Sequence, residues 1–272
     1  MISRIHTSEE KLADLVFDAV TRDGACIVEG VLDSEFIEKT RHEMYRVSDA
    51  ILSTLGPERL ERAGERGVQR LMMKWSDHFF EFLRIPSVLA IADRFLGNTC
   101  VMHLQNGFIL PPAKADAKNV FQYRFHRDFP RLLNGFLCSL NMLFAIDDFR
   151  EDNGSTLVVP GTHQRPVEMK QEEFLERSVM ATCKAGSIIV FDSTVIHAAG
   201  ENHSKENRLA INHQFTRSYF KQQLDYVRAL SGKVEKLDER TKQLLGWYTR
   251  LPTSLEEYYV APEDRLYRGG QG

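Results

Sequence analysis

In the segment YRFHRDFPR, His126 and Asp128 flank Arg127. On an extended strand side chains alternate faces, so the imidazole and the carboxylate project to one side and the arginine to the other. A pair placed in this way is either a surface ion pair or two ligands offered to one ion from a rigid element. Downstream, IVFDSTVIHAAG ends an apolar run, turns through polar residues and presents His197. Eleven residues after it, Arg208 opens another apolar run. Two neutral imidazoles and one carboxylate on one face of an ion leave adjacent coordination positions free, the arrangement of non-haem Fe(II) oxygenases. The free positions can take a 2-oxo acid and then O2. A second carboxylate at the far end of that acid needs a fixed cation, and a guanidinium fork pairs with it at two points where an amine offers one. The same ligands around Zn(II) or Mn(II) would serve a non-oxidative cupin-like hydrolase or isomerase, which has no use for Arg208. A silent binding protein on the same scaffold would be marked by a lost ligand, and none is lost.

These residues need elements to position them. From Val120 to Phe215 short apolar runs, GFLCSLNMLFAI, STLVVP, GSIIVF and RLAINHQF, alternate with turn signals such as EDNGS and VPGTH, the pattern of a sheet pair or barrel. In LCSLNMLFAI, Ser139, Asn141, Leu143 and Ala145 share one face and the bulkier Leu140, Met142, Phe144 and Ile146 the other. The N-terminal part reads as mostly helical. Thr7 and Glu10 have capping-box spacing ahead of Leu12, Val16, Phe17 and Val20, and ACIVEGVL reads as a short strand. Asp33 reads as the N-cap of a helix ending near Leu55, and residues 56–72 as loop. A helix around Val88 to Leu96 leads into a strand from Cys100 to Leu110, and the tail from Ser218 returns to helical spacing. The expected fold is mainly β with flanking helices, in a single domain spanning 1–272. Its parts are a helical portion over about 1–98, a core over about 99–217 and C-terminal helices over about 218–272.

Composition narrows the setting. The 272 residues carry a formal net charge of -3 with 43% hydrophobic content, which gives enough apolar surface for a large core and no global attraction to nucleic acid or an anionic membrane. No run approaches the roughly 20 apolar residues of a membrane span. The four cysteines, Cys26, Cys100, Cys138 and Cys183, are dispersed in apolar contexts and read as buried free thiols, consistent with a cytoplasmic, reducing location.

Taken together, TRDGACIVEGVLDSEFIEKT, FHRDF, NGSTLVVPGTH, GSIIVFDSTVIHAAG and NRLAINHQF resemble the phytanoyl-CoA dioxygenase family of Fe(II)- and 2-oxoglutarate-dependent oxygenases. The resemblance covers most of the chain. It implies a double-stranded β-helix, or jelly-roll, core of the cupin kind, with His126, Asp128 and His197 as iron ligands and Arg208 on the C5 carboxylate of 2-oxoglutarate. It also implies a small-molecule substrate that is hydroxylated or otherwise oxidised by O2, with release of succinate and CO2. Some members halogenate, with a small residue in place of the aspartate; Asp128 argues for hydroxylation. By the same resemblance Asn141 stands where a polar contact to 2-oxoglutarate is common. Gln105 is expected to share a cavity face with His103 and touch cofactor or substrate. His163 reads as a loop hydrogen-bonding residue, and His213 as lying on the strand face away from Arg208.

Overall fold

The computed structural model describes residues 2–113, 123–133 and 135–271. Among them, one mixed sheet runs in spatial order through β1 (Ser3–His6), β2 (Ala25–Glu29), β8 (Ile188–Asp192), β5 (Ser139–Ala145), β10 (Arg208–Thr216), β4 (Val101–Leu110) and β3 (Val68–Arg70). Neighbours are antiparallel except β1 and β2. A smaller sheet holds β7 (Val179–Met180), β6 (Thr156–Val159) and β9 (Ile196–Ala199).

The two faces of the large sheet have different partners. On one face, Leu140, Met142, Phe144 and Ile146 of the β5 region and Leu209, Ile211 and Phe215 of β10 pack against helices. These include α1 (Leu12–Asp23), α2 (Ser34–Leu55) and α5 (Pro86–Leu96), whose buried residues recur every three or four positions. Short helices complete the layer: α3 (Pro57–Arg62), α4 (His78–Glu81), α7 (Tyr226–Ala229) and α8 (Glu239–Leu244). On the opposite face, Leu143 and Ala145 meet Ala25, Ile27, Ile189, Phe191 and, from the small sheet, Val158. The alternation read in β5 therefore separates the two hydrophobic clusters residue by residue. Outside these layers lie α6 (Gln171–Arg177) and α9 (Leu255–Tyr258). Among the described residues no helix is long and apolar enough to cross a membrane.

Local signals explain several boundaries. Asp33 accepts a hydrogen bond from the Phe36 N–H at 2.8 Å and starts α2 at Ser34 as expected. Gly24 closes α1 at φ +87°, and a Cβ there would sit 2.6 Å from His163 Nδ1 and 2.8 Å from Val195. His163 itself lies 3.0 Å from the Thr21 carbonyl through Nε2, so it holds the end of α1, the loop role its turn predicts.

The N-terminal region departs from expectation. Besides helices and the expected β2, it contributes β1 and β3 to the large sheet. Residues Ser3–His6 form a strand whose exposure alternates, and α1 begins at Leu12 with no side-chain cap from Lys11. Four residues are too few to display a period, and the Thr7 N–H continues the ladder to Glu29 O at 2.9 Å instead of capping a helix. The stretch 56–72 contains α3 and β3 where a loop was expected. Trp75, Met72, Met73, Phe79 and Phe80 belong to the helix-side core. All four cysteines are buried and free; burial pushes the thiols of Cys26 and Cys183 up to about 12 and that of Cys100 up to about 11.

His213 lies on the helix side of β10, ringed by Phe82, Phe144 and Phe215, with its Nε2 2.8 Å from Gln105 Nε2. Since the amide nitrogen can only donate, this imidazole nitrogen must accept. Burial takes the group from its ordinary value of 6.5 down to about 3. The folded-state pKa is thus depressed, and between those two values the unfolded chain binds the extra proton. Stability is lost as pH falls from about 6.5 toward 3, by ~1.4 kcal/mol per pH unit from this residue alone. A His213→Leu variant should lose stability at pH 8, where the Gln105 amide loses one of its two acceptors, yet show a pH slope shallower by that amount between pH 6 and 4. Urea unfolding at several pH values tests this, and parallel slopes for both proteins would contradict it.

Candidate metal centre

His126 and His197 meet across an antiparallel bridge. The His126 N–H donates to His197 O and the His197 N–H to His126 O, both at 3.0 Å. This pairing sets the two rings side by side, centroids 4.4 Å apart. The segment around His126 is a single bridge followed by a bend, where a strand was expected. The predicted alternation still holds. Arg127 turns away, donating from Nε to Thr194 O at 2.6 Å and from Nη2 to Thr162 O at 2.8 Å. Asp128 returns to the side of His126. The Phe129 N–H then donates to Ser193 O at 2.8 Å, which pins the far end of the segment.

Each imidazole is oriented by its Nδ1, which lies 2.8 Å from Arg124 O in His126 and 3.2 Å from Val195 O in His197. A carbonyl can only accept, so Nδ1 carries a proton; in the neutral ring Nε2 then keeps its lone pair, as a metal-binding imidazole requires, while in the protonated ring of His126 it donates to Asp128. The His126 Nε2 is 3.3 Å from Asp128 Oδ1, and the His197 Nε2 is 3.7 Å from Asp128 Oδ2. One ligand atom from each of the three residues lies within 4.8 Å of the others. Burial lowers the pKa of His197 and keeps it neutral. For Asp128 burial works to raise the pKa, but the charge the neighbouring imidazoles carry when protonated and hydrogen bonds from His126 and Asn141 outweigh it, so the carboxylate is held below its usual range. Burial of His126 is in turn outweighed by hydrogen bonding to Asp128 and to the Arg124 carbonyl, and its pKa is raised. The Asp128 side chain remains about 25% exposed, which leaves the cluster open to solvent on one side.

The floor of the cluster is a polar ladder. Asn141 donates to Ser193 Oγ at 2.7 Å and accepts from Asn212 Nδ2 at 2.9 Å. Ser139 and Ser193 hydroxyls are 2.8 Å apart, and Gln214 donates to Ser139 Oγ at 2.8 Å. Asn141 is therefore at the cluster, beside Asp128. Ser139 was read onto the Asn141 face, but Ser193 and Gln214 were missed. Gln214 falls on the alternate-residue face of Arg208, Ala210 and Asn212, a signal present in the sequence; Ser193 has none beyond proximity to His197.

Arg208 is buried at the start of the same face of β10. Its guanidinium lies over Phe149, 4.4 Å from the ring centre, and donates from Nη2 to Gly154 O at 2.6 Å. Its Nε is buried with no partner, and among the described residues no carboxylate forms an ion pair with it. Asp147, the acid whose field it feels most, is engaged by Arg41 at 2.9 Å and by the Leu209 N–H at 2.7 Å. Burial lowers the arginine to about 10, so it stays cationic at neutral pH. A buried guanidinium without an anion is costly unless a ligand supplies one. The donor set and this unpaired cation both fit an Fe(II) ion and a dicarboxylic 2-oxo acid.

Gln105 does not join them. It faces the helical layer, donating from Nε2 to Phe79 O at 3.0 Å and reaching His213. The cause is a register shift in β4: Gln214 pairs with Leu104 but Phe215 with Met102, so His103 is an extra residue. The shift breaks the alternation that put His103 and Gln105 on one side. His103 lies within the field of Asp128.

A family model described as Phytanoyl-CoA dioxygenase (PhyH) matches residues 20–210. The chain belongs to this family. The PhyH match spans β2 through the first residues of β10 and so takes in His126, Asp128, His197 and Arg208. An uncharacterised protein of Mycobacterium tuberculosis is 56% identical over 262 residues, covering 95% of this chain and 96% of its own. One from Mycobacterium bovis is similar to the same extent. The PhyH-family chain is also 25% identical over 275 residues to dioxygenase cdmD of Talaromyces verruculosus, covering 91% of this chain and 88% of that one.

Ser193 is the hub of the ladder, so Ser193→Ala should leave Asn141, Ser139 and Gln214 each short of a buried partner. The expected cost is about 1–3 kcal/mol in equilibrium urea unfolding. A loss below ~0.5 kcal/mol, within the range of an ordinary surface substitution, would show that the ladder is not the support described.

Proposed function

We propose that this protein is an Fe(II)- and 2-oxoglutarate-dependent oxygenase that hydroxylates, or otherwise oxidises, a small organic molecule. The observation that carries the reading is a pair of features: ligand atoms of His126, Asp128 and His197 lying within 4.8 Å of one another, and a buried arginine with which no carboxylate pairs among the described residues. In this reading the two sheets are the halves of a jelly roll within one domain. Family membership and relatives named as dioxygenases support it. The four free thiols fit a reducing, cytoplasmic location. The substrate is taken to be a small molecule, with neither nucleic acid nor membrane as partner.

His126, Asp128 and His197 would hold the metal, and Arg208 the distal carboxylate of 2-oxoglutarate. The iron, when bound, supplies O2 activation and the oxidative decarboxylation of the 2-oxo acid to succinate and CO2. The chain's own residues do the rest. The Arg124 and Val195 carbonyls fix both imidazole tautomers, and the Asn141 amide steadies Asp128 in its ionised form. The apolar cluster around Val158, Phe149 and Phe191 keeps water from the Arg208 end of the cavity, so its charge acts at low dielectric. A hydrolase or isomerase on the same ligands leaves Arg208 unexplained.

Anaerobic addition of Fe(II) and 2-oxoglutarate should produce a visible charge-transfer band that His197→Ala abolishes. Arg208→Met should still bind metal but need at least tenfold more 2-oxoglutarate for half-maximal band intensity, the consequence of losing ~1.4 kcal/mol or more of ion-pair energy. Metal-loaded protein without the band, or an Arg208 variant with unchanged 2-oxoglutarate dependence, would overturn the proposal.

A further inference from the structure

The His126 segment is held on one side only by ordinary strand pairing. Along an extended chain, successive residues point their N–H and C=O groups to opposite edges. His126 spends its pair on His197 of β9, so the pair of Phe125 points outward, where a further strand would be needed. No strand lies there among the described residues; the side chain of Gln171, the first residue of α6, does. The Phe125 N–H donates to Gln171 Oε1 at 2.8 Å, and Gln171 Nε2 donates to Phe125 O at 3.3 Å. One carboxamide thus exchanges both hydrogen bonds with one backbone residue, as two strand residues do in an antiparallel hydrogen-bonded pair. The contact is reinforced from the same helix. Phe174 is buried with Val159 and Ile196, and its ring centre is 5.8 Å from that of Phe125.

We propose that Gln171 is a positioning residue for the metal centre, its amide standing in for a missing strand and fixing the backbone that carries His126. The inference rests on the reading of His126, Asp128 and His197 as metal ligands, though its first consequence can be seen without metal. The ligand segment's lateral attachments include the bridge to His197, the Arg127 side chain, the Phe129 N–H on Ser193 O, and Gln171. The first three come from the ligands or from residues next to them. Gln171 is the one contributed by a separate peripheral helix, and it is exposed, so it can be altered without opening the core. Glutamine is suited to this task because its amide offers one donor and one acceptor side by side. Glutamate keeps only the acceptor, and leucine has neither.

The test uses the full-length chain with Gln171→Leu and Gln171→Glu. In metal-free protein, hydrogen exchange of peptides covering residues 123–133 should rise about tenfold in Gln171→Leu, while peptides from β5 and β10 stay unchanged. Titration with Co(II), followed by its visible absorption, should show affinity weakened about tenfold in Gln171→Leu, corresponding to ~1.4 kcal/mol. Gln171→Glu, which still accepts from the Phe125 N–H, should fall between that variant and wild type. Unchanged exchange in 123–133, or equal Co(II) affinity in all three proteins, would overturn the positioning role. So would a Gln171→Glu variant as impaired as Gln171→Leu, or loosening spread over β5 and β10 in both variants, since either would mark Gln171 as a general stability contact. If wild type itself binds no Co(II) while the exchange result holds, the strand-substitute role survives and the metal reading fails instead.

Discussion

Two backbone hydrogen bonds between His126 and His197 are the constraint on which the centre depends. They join segments distant in the chain, and side-chain geometry follows from them: paired residues on antiparallel backbone must project their rings to the same side. Once the rings are adjacent, Asp128 reaches both because it lies one alternation beyond His126. Three potential ligands are thereby placed by a single register, and a slip of one residue would send His126 to the opposite side.

The large sheet gives that register something rigid to rest on. Its helix-side face is dry, closed by bulky residues from β5 and β10 against α1, α2 and α5. Its other face changes character along β10, from Arg208 beside Ala210 at one end to Asn212 and Gln214 at the other. The polar end is expensive to bury and is satisfied almost entirely by its own ladder of amides and hydroxyls. Arg208 differs from the ladder in carrying a charge, with which no carboxylate forms an ion pair among the described residues.

Much of this was legible in the sequence because strand periodicity is a strong signal where strands are long. The faces of β5 and β10 could be assigned from alternate residues, and with them the positions of Asn141 and Arg208 and the placement of His213 on the opposite face. Asp33 announced α2 through its capping chemistry. The failures share a cause. β1 and β3 span too few residues to show a period, and one extra residue at His103 reverses the phase of everything beyond it in β4, which is why Gln105 was assigned to the wrong face. The role of Gln171 leaves no trace in spacing at all, because a side chain substituting for a strand is a tertiary event.

The buried thiols carry a consequence for chemistry with oxygen. Peroxides and related oxidants attack thiolate, not thiol, and burial keeps Cys26, Cys100 and Cys183 protonated at any physiological pH. An enzyme that mishandles O2 from time to time exposes its own side chains to the by-products. In the oxygenase proposed above, such by-products would meet thiols and not thiolates at these three positions, so ageing preparations should lose activity without accumulating sulfenic acids or mixed disulfides there.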